Sequence, residues 1–478
     1  MIILVHLDVQ TCNIKTVLGP NSVSLDFDHR EMMGWIERVV GFGIRRPGLP
    51  ADRHTEDFII DSLHSFGIDQ VITQTVRHSI WDESETTVSC WPTSDPKKEA
   101  SFKALGVPYT IPTAGYSGEL LALNNSNTST LNYNYQNKIV MESIALSDVT
   151  LSLFRDISDD HFDPESDFDS MDQTLPFGPK FTNILEDAIA RNASGYIGVL
   201  DGFSWNTYNY YVPYDGVTRN IHAAYIDKHS GDVIKKMLAN GPVESKLVVN
   251  ANIEVGSSRN IIGKLNSNSN YTVIIGTHHD APYASAVEDG SGIALVLAQA
   301  KYWTSIPKEN RPFNFVFLVT CGHMAGGVGT QDFIKSNPEI LDDTVLEIHL
   351  EHVATECRGD GANLISTGNP EVRWWFTTQQ KDLQTLVKQS IEDNHLTRSL
   401  ILKPDVFMAH PPTDGGFFHL AGVPIVNFLT APMYLFDSLD TIDKIHVDSL
   451  EPLSRAVAQI INGAKNIDFP THKKSITH

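Results

Sequence analysis

From about residue 243 onward, apolar runs of strand length alternate with helix-length patterns, and nothing else in the chain restricts its fold as much. Antiparallel neighbours can be joined by a tight turn, but parallel neighbours need a long crossover, usually a helix. Regular alternation therefore predicts a mostly parallel sheet flanked by helices. The expected strands are Asn260–Leu265, Tyr271–Thr277, Phe313–Val319, Val345–Leu350, Leu400–Lys403 and Pro424–Leu429. Helices are expected near Gly292–Trp303, Gln331–Ser336, Thr378–Asn394 and Ser449–Ala464. Ligands of open α/β sheets gather beyond the carboxyl ends of the strands.

Those ends carry metal-capable side chains. YTVIIGT runs into His278-His279-Asp280, FNFVFLVT into Cys321-Gly322-His323-Met324, and TVLEIHL into Glu351-His352. A fourth contribution, Glu288-Asp289, precedes Gly290-Ser291-Gly292 and the next helix. One histidine or loop carboxylate is ordinarily structural or solvated, but four such loops on one sheet edge predict a site. In His278-x-Asp280, an imidazole can bind a metal while a nearby carboxylate fixes its tautomer.

The first hundred residues read as mixed α/β, with helices over Arg30–Phe42 and Thr55–Phe66 and a strand over Gln70–Val76. The middle differs in texture. The polar tract NNSNTSTLNYNYQN is followed by RDISDDHFDPESDFDSMDQ, whose eight acidic residues between Asp156 and Asp172 read as a solvated loop. Residues 116–242 are expected to form a small inserted α/β domain, with 1–115 and 243–478 forming one discontinuous catalytic domain. The insert's Trp205, Tyr208, Tyr210, Tyr211 and Tyr214 are expected to form a buried cluster, with the lining of a pocket as the alternative.

A net charge of −22 opposes nucleic acid or anionic membrane as a partner. No apolar run reaches membrane-spanning length, and the opening MIILVHLDVQ is too short for a signal-peptide core. The expectation is a cytoplasmic protein, in which the sequons at Asn124, Asn127, Asn192 and Asn270 are chance matches. Cys12, Cys90, Cys321 and Cys357 form no metal-binding or disulfide pattern.

HHDAPYASAVEDGSGIALVLAQA resembles the H-x-D…D-x-x-S-G segment of zinc-dependent exopeptidases of the aminopeptidase Y and glutaminyl cyclase type. RPFNFVFLVTCGHMAGGVGTQDF is similar to that family's strand and E-E-x-G-x-x-G-S loop, LEIHLEHVA to its strand ending in aspartate, and LFDSLDTIDKI to its H-x-x-x-D-T motif. The middle block resembles the protease-associated insert of some members. The resemblance implies His278 as first ligand with Asp280 as its partner, Glu288 as bridging carboxylate (Asp289 if the register slips by one) and Glu351 as third-strand ligand. It also implies His323 at the general base's position, Met324 at a ligand glutamate's and Phe436 at the last ligand histidine's. One metal thus keeps its ligands, His278, Glu288 and Glu351, while the other loses two of its own, Met324 and Phe436 standing in their places. HPPTDGGFFHLAGVP resembles the pocket-wall loop, which makes Asp414 and His419 secondary candidates beside His279, Asp289 and His352.

The expected function is hydrolysis of an amide or related carbonyl bond of a small molecule or peptide. It would use one divalent transition metal, zinc first and iron or manganese as alternatives, with His323 as proton carrier. Two other readings stay open. If His323 is a ligand, two histidines and one carboxylate form a face that also suits iron and non-hydrolytic chemistry. If the histidines only pack, the chain is an inactive binding protein.

Overall fold

The computed structural model describes residues 26–123, 133–178 and 180–469, so Cys12, Asn124, Asn127 and the amino-terminal segment lie outside the described residues. The centre is a run of buried parallel strands. TVIIGTH (Thr272–His278) is mostly β-branched and buried throughout, as a strand covered on both faces must be. It pairs in parallel with Asn314–Thr320 on one side and Thr344–Leu350 on the other, and the latter pairs in parallel with Ile425–Thr430. The register sets His278 opposite Thr320, so the carboxyl ends of these strands line up along one edge. The mostly parallel α/β sheet expected from the sequence is present, with each expected strand found within a residue or two except Gln70–Val76 and Asn260–Leu265, which are the start and the end of longer ones.

Helices cover the strands. Gly292–Ser305 is buried along almost its whole length, while Val447–Ala464 and Lys381–Asp393 are amphipathic and bury one face each. Pro50–Phe66 starts with proline, where no intrahelical amide partner is needed, and stops at Gly67, whose φ of 83° is left-handed.

The sheet grows to fourteen strands because two very long ones carry it across the molecule. Gln70–Pro92 and Val243–Leu265 pair antiparallel along nearly their whole lengths. The carboxyl end of Val243–Leu265 pairs with Asn314–Thr320, and its amino end pairs with Thr113–Ala122 of the middle block. Ala100–Gly106 also joins the middle block through His222–Asp227. Part of the acidic stretch is ordered: Asp160–Phe162 forms an edge strand on Ser399–Leu402, and Asp167 pairs with Arg398 at 2.6 Å. No helix among the described residues is long and apolar enough to cross a membrane.

Candidate metal centre

Four loops meet at the carboxyl edge of the central strands, and in three of them a histidine is fixed through its Nδ1. His278 ends its strand with Nδ1 3.0 Å from the Asp280 carbonyl oxygen. His352 has a φ of 57°, which turns the chain sharply after Glu351, and its Nδ1 lies 2.8 Å from the Thr430 carbonyl oxygen. His323 follows the strand Asn314–Thr320, and its Nδ1 lies 2.8 Å from Asp414 Oδ1. Each acceptor holds the proton on Nδ1 and leaves Nε2 with the lone pair, the arrangement expected of metal-binding imidazoles.

The Nε2 atoms surround Glu288. His352 Nε2 is 2.6 Å from Glu288 Oε2, His278 Nε2 is 3.3 Å from Oε1, and His323 Nε2 is 3.8 Å from Oε1. Glu351 stands behind them, its oxygens 3.9 Å from the Nε2 atoms of both His278 and His352. All of these side chains are buried. Yet His278 Nε2, His352 Nε2 and both oxygens of Glu288 have no partner of hydrogen-bond geometry. Buried polar groups nearly always find partners, so four atoms that face one another closely without hydrogen-bond geometry make this point a candidate cation site. Nitrogen and carboxylate donors suit zinc and its first-row neighbours.

The supports are equally specific. Asp440 accepts the backbone N–H groups of Val287 and Glu288 at 2.8 and 2.9 Å, setting the loop that presents Glu288. Buried Arg45 donates to the carbonyl oxygens of Ser285 and Glu288. Asp280 accepts from the His323 and Met324 amides at 3.1 and 2.7 Å, which fixes the second loop. Glu351 is held by a buried relay on one face of its strand. His349 lies 3.0 Å from both Glu351 and Glu347, and Asn427 donates to Glu347 at 2.9 Å.

Burial disfavours every charge here, so the charges survive only by facing one another. It works against the imidazolium of His323, but Asp414 and then Glu288 carry it up to about 10. His352 is likewise raised to about 10 against burial by Glu288. Despite burial, Glu288 is pulled below the usual carboxylate range by His352 and His278, Glu351 by His349, and Asp414 by His323. A divalent cation would replace the protons as the counter-charge.

The structure gathers His278, Glu288, Glu351 and His323, all expected from the sequence, and gives His352 a more central place than a secondary one. Asp289 faces its own loop instead, accepting from Thr277, the Gly292 amide at 3.0 Å and the His352 amide at 3.3 Å. Asp414 partners His323. His279 points away, to Asp52 at 2.6 Å. His419 sits on the short helix Gly416–Leu420, with Asp405 and His410 as its charged neighbours. Sequence reading missed the relay of Glu347 and His349. The signal was present, because polar residues at 347, 349 and 351 alternate inside an otherwise apolar strand. It also left Tyr214 undistinguished. Trp205, Tyr210 and Tyr211 are buried, but Tyr214 stacks on His323 with ring centres 5.4 Å apart and lies tilted against Phe436 at 4.8 Å.

The fold is that of the zinc exopeptidases. Residues 260–461 match Peptidase family M28, so the chain carries a domain of that family. Three solved structures share the fold over nearly the whole chain. A zinc aminopeptidase from Bacillus subtilis is 16% identical, with a TM-score of 0.66, over 92% of this chain and 96% of that one. A peptidase M28 precursor from Shewanella amazonensis SB2B is 17% identical, with a TM-score of 0.65, over 93% and 95%. An aminopeptidase from Aneurinibacillus sp. strain AM-1 is 17% identical, with a TM-score of 0.62, over 91% and 93%. No curated protein matches the sequence.

Proposed function

We propose that the protein is a metal-dependent hydrolase of amide bonds whose single metal is held by His278, Glu288 and His352, with Glu351 as fourth ligand. The observation that carries the reading is the convergence of four buried, unpartnered atoms of His278, Glu288 and His352 on one point. Met324 and Phe436, buried and without a hard donor, occupy the places that the family resemblance gives to ligands of a second metal. A divalent cation bound at this point supplies Lewis acidity, polarising an amide carbonyl and making water acidic near neutral pH.

The chain's own residues do the rest. His323 lines the cavity beside the cluster, and its Nε2 is not among the enclosed, unpartnered atoms. With Asp414 fixing Nδ1, His323 takes a proton from the attacking water at Nε2 and returns it to the leaving amine. Asp414 keeps the ring oriented and balances its charge between those events. Tyr214 is held protonated by burial and by the surrounding carboxylates of Glu288, Glu351 and Asp414. Its hydroxyl is therefore available to donate to substrate oxygen. The block 116–242, read as a protease-associated-like insert, acts as a wall of the site through this residue.

A second reading has one observation in its favour. Single donor atoms of His278, Glu288 and His323 all lie within 4.8 Å of one another, a two-histidine, one-carboxylate face that suits iron(II). The experiment is metal analysis of protein purified without added metal, together with hydrolysis of a panel of amides. About one zinc per chain that survives His323→Ala, with a loss of roughly 10²–10⁴ in rate, supports the hydrolase. Iron that is lost in His323→Ala supports the second reading.

A further inference from the structure

Beside the metal cluster lies a cavity of about 190 Å³ whose wall is almost wholly apolar. Phe154, Trp374, Phe376, Leu429 and Phe436 line its body, and the half-exposed Phe407 and Met408 stand at its rim. An apolar cavity of about 150 Å³ accommodates benzene, so this one takes a single aromatic ring. Its ionisable lining consists of His323, Glu351, His352 and the phenol of Tyr214, with no aspartate, lysine or arginine.

The charge pattern bears on what may enter with that ring. An ammonium beside the ring would have only the Glu351 carboxylate to meet. Glu351 is already engaged by His349 at 3.0 Å and faces His278 and His352 at 3.9 Å. A bound divalent cation would repel the ammonium as well. Burying an unpaired charge costs far more than burying an unpaired neutral group. An apolar ring in the same place gains from every carbon it contacts.

We propose that the cavity binds the acyl side of the substrate, and that this acyl group is uncharged and carries one aromatic ring. A free α-ammonium on the acyl group is then a liability, so substrates are amides of arylalkanoic acids or of amino acids with a blocked amine. The inference rests on the hydrolase reading for the position of the scissile bond, but binding alone tests it.

The test measures binding of three small amides to the zinc-loaded protein by calorimetry at pH 7. 3-Phenylpropanamide and phenylalaninamide differ only in the α-ammonium, and propanamide lacks the ring. The expected result is that 3-phenylpropanamide binds at least tenfold more tightly than either of the others. Ala431→Phe, which puts a ring into the cavity from its own wall, should remove that advantage. Equal or tighter binding of phenylalaninamide overturns the proposal, as does a ring that confers no gain over propanamide, or no binding of 3-phenylpropanamide at all. The three ligands decide the matter on the unaltered protein even if the variant does not fold. Hydrolysis of the corresponding anilide is read separately: binding in the expected order without turnover would leave the cavity assignment standing and remove the hydrolase.

Discussion

His278 and His279 are neighbours in sequence, both are buried, and each sits among carboxylates close enough to share an ion. Their surroundings differ in one respect. Around His279 the polar atoms are matched. Nδ1 meets Asp52 at 2.6 Å and Nε2 meets the Arg259 carbonyl oxygen at 3.0 Å. Asp52 also accepts from the Gly48 amide and Ser258 at 2.8 Å, and Glu56 accepts from Arg259 twice. Around His278 the atoms converge and remain unmatched. Proximity of histidine and carboxylate is therefore a poor indicator of a metal centre, and unmet hydrogen-bonding capacity is a better one. The first cluster fastens the helix Pro50–Phe66 to the sheet, whereas the second carries the unmet capacity on which the proposed metal site rests.

The contrast can be broken most directly through metal content. His278→Ala should abolish stoichiometric zinc, measured by atomic emission after dialysis, while His279→Gln should retain it. A full equivalent of zinc in His278→Ala would undo the assignment. Next in size is the fold. Asp52→Ala strands a buried histidine and should destabilise the protein by about 3–5 kcal/mol in denaturant titrations, as breaking a buried pair does. The surviving native fraction should still bind zinc. A loss below about 1 kcal/mol would mean that the His279 cluster is not the structural one.

The smallest effect concerns a buried carboxylate with neither imidazole nor metal opposite it. Burial pushes Glu371 up to about 7, against its hydrogen bond from the Val372 amide. The folded state therefore holds the proton more tightly than the unfolded chain, whose carboxyl titrates near 4.5. Stability then falls as pH rises between those two values and stays lowered above the upper one. Glu371→Gln mimics the protonated form and should gain about 3 kcal/mol over wild type at pH 8 and little at pH 4. Thermal melts at the two pH values check it. An equal effect at both would show that the carboxyl is not titrating in the folded protein.

Much of this was legible in the sequence because the central strands are continuous apolar runs and the site residues sit at their ends. What was not legible depends on long-range pairing. Gln70–Val76 reads as a strand, but its continuation to Pro92 alternates buried and exposed residues and contains polar DESETT. Pairing along its length with residues more than a hundred positions later keeps it extended, and Thr86–Cys90 pair on their other side with Ala100–Ala104. His352 was read as secondary because its direction depends on a left-handed backbone and on Thr430 of another strand. Tyr214 reaches the cluster only through the folding back of the middle block onto the sheet edge.

The clamp by which Asp440 grips the amides of Val287 and Glu288 has a consequence for biosynthesis. Glu288 is emitted from the ribosome 152 residues before the carboxylate that orients it, an interval of roughly ten seconds or more at 5–20 residues per second. For the first part of that interval His278 and Glu288 lack His352, and throughout it they lack the clamp that fixes their loop. On the proposed metal reading, acquisition would therefore follow the synthesis of Asp440, because an ion captured earlier would meet a loop not yet set.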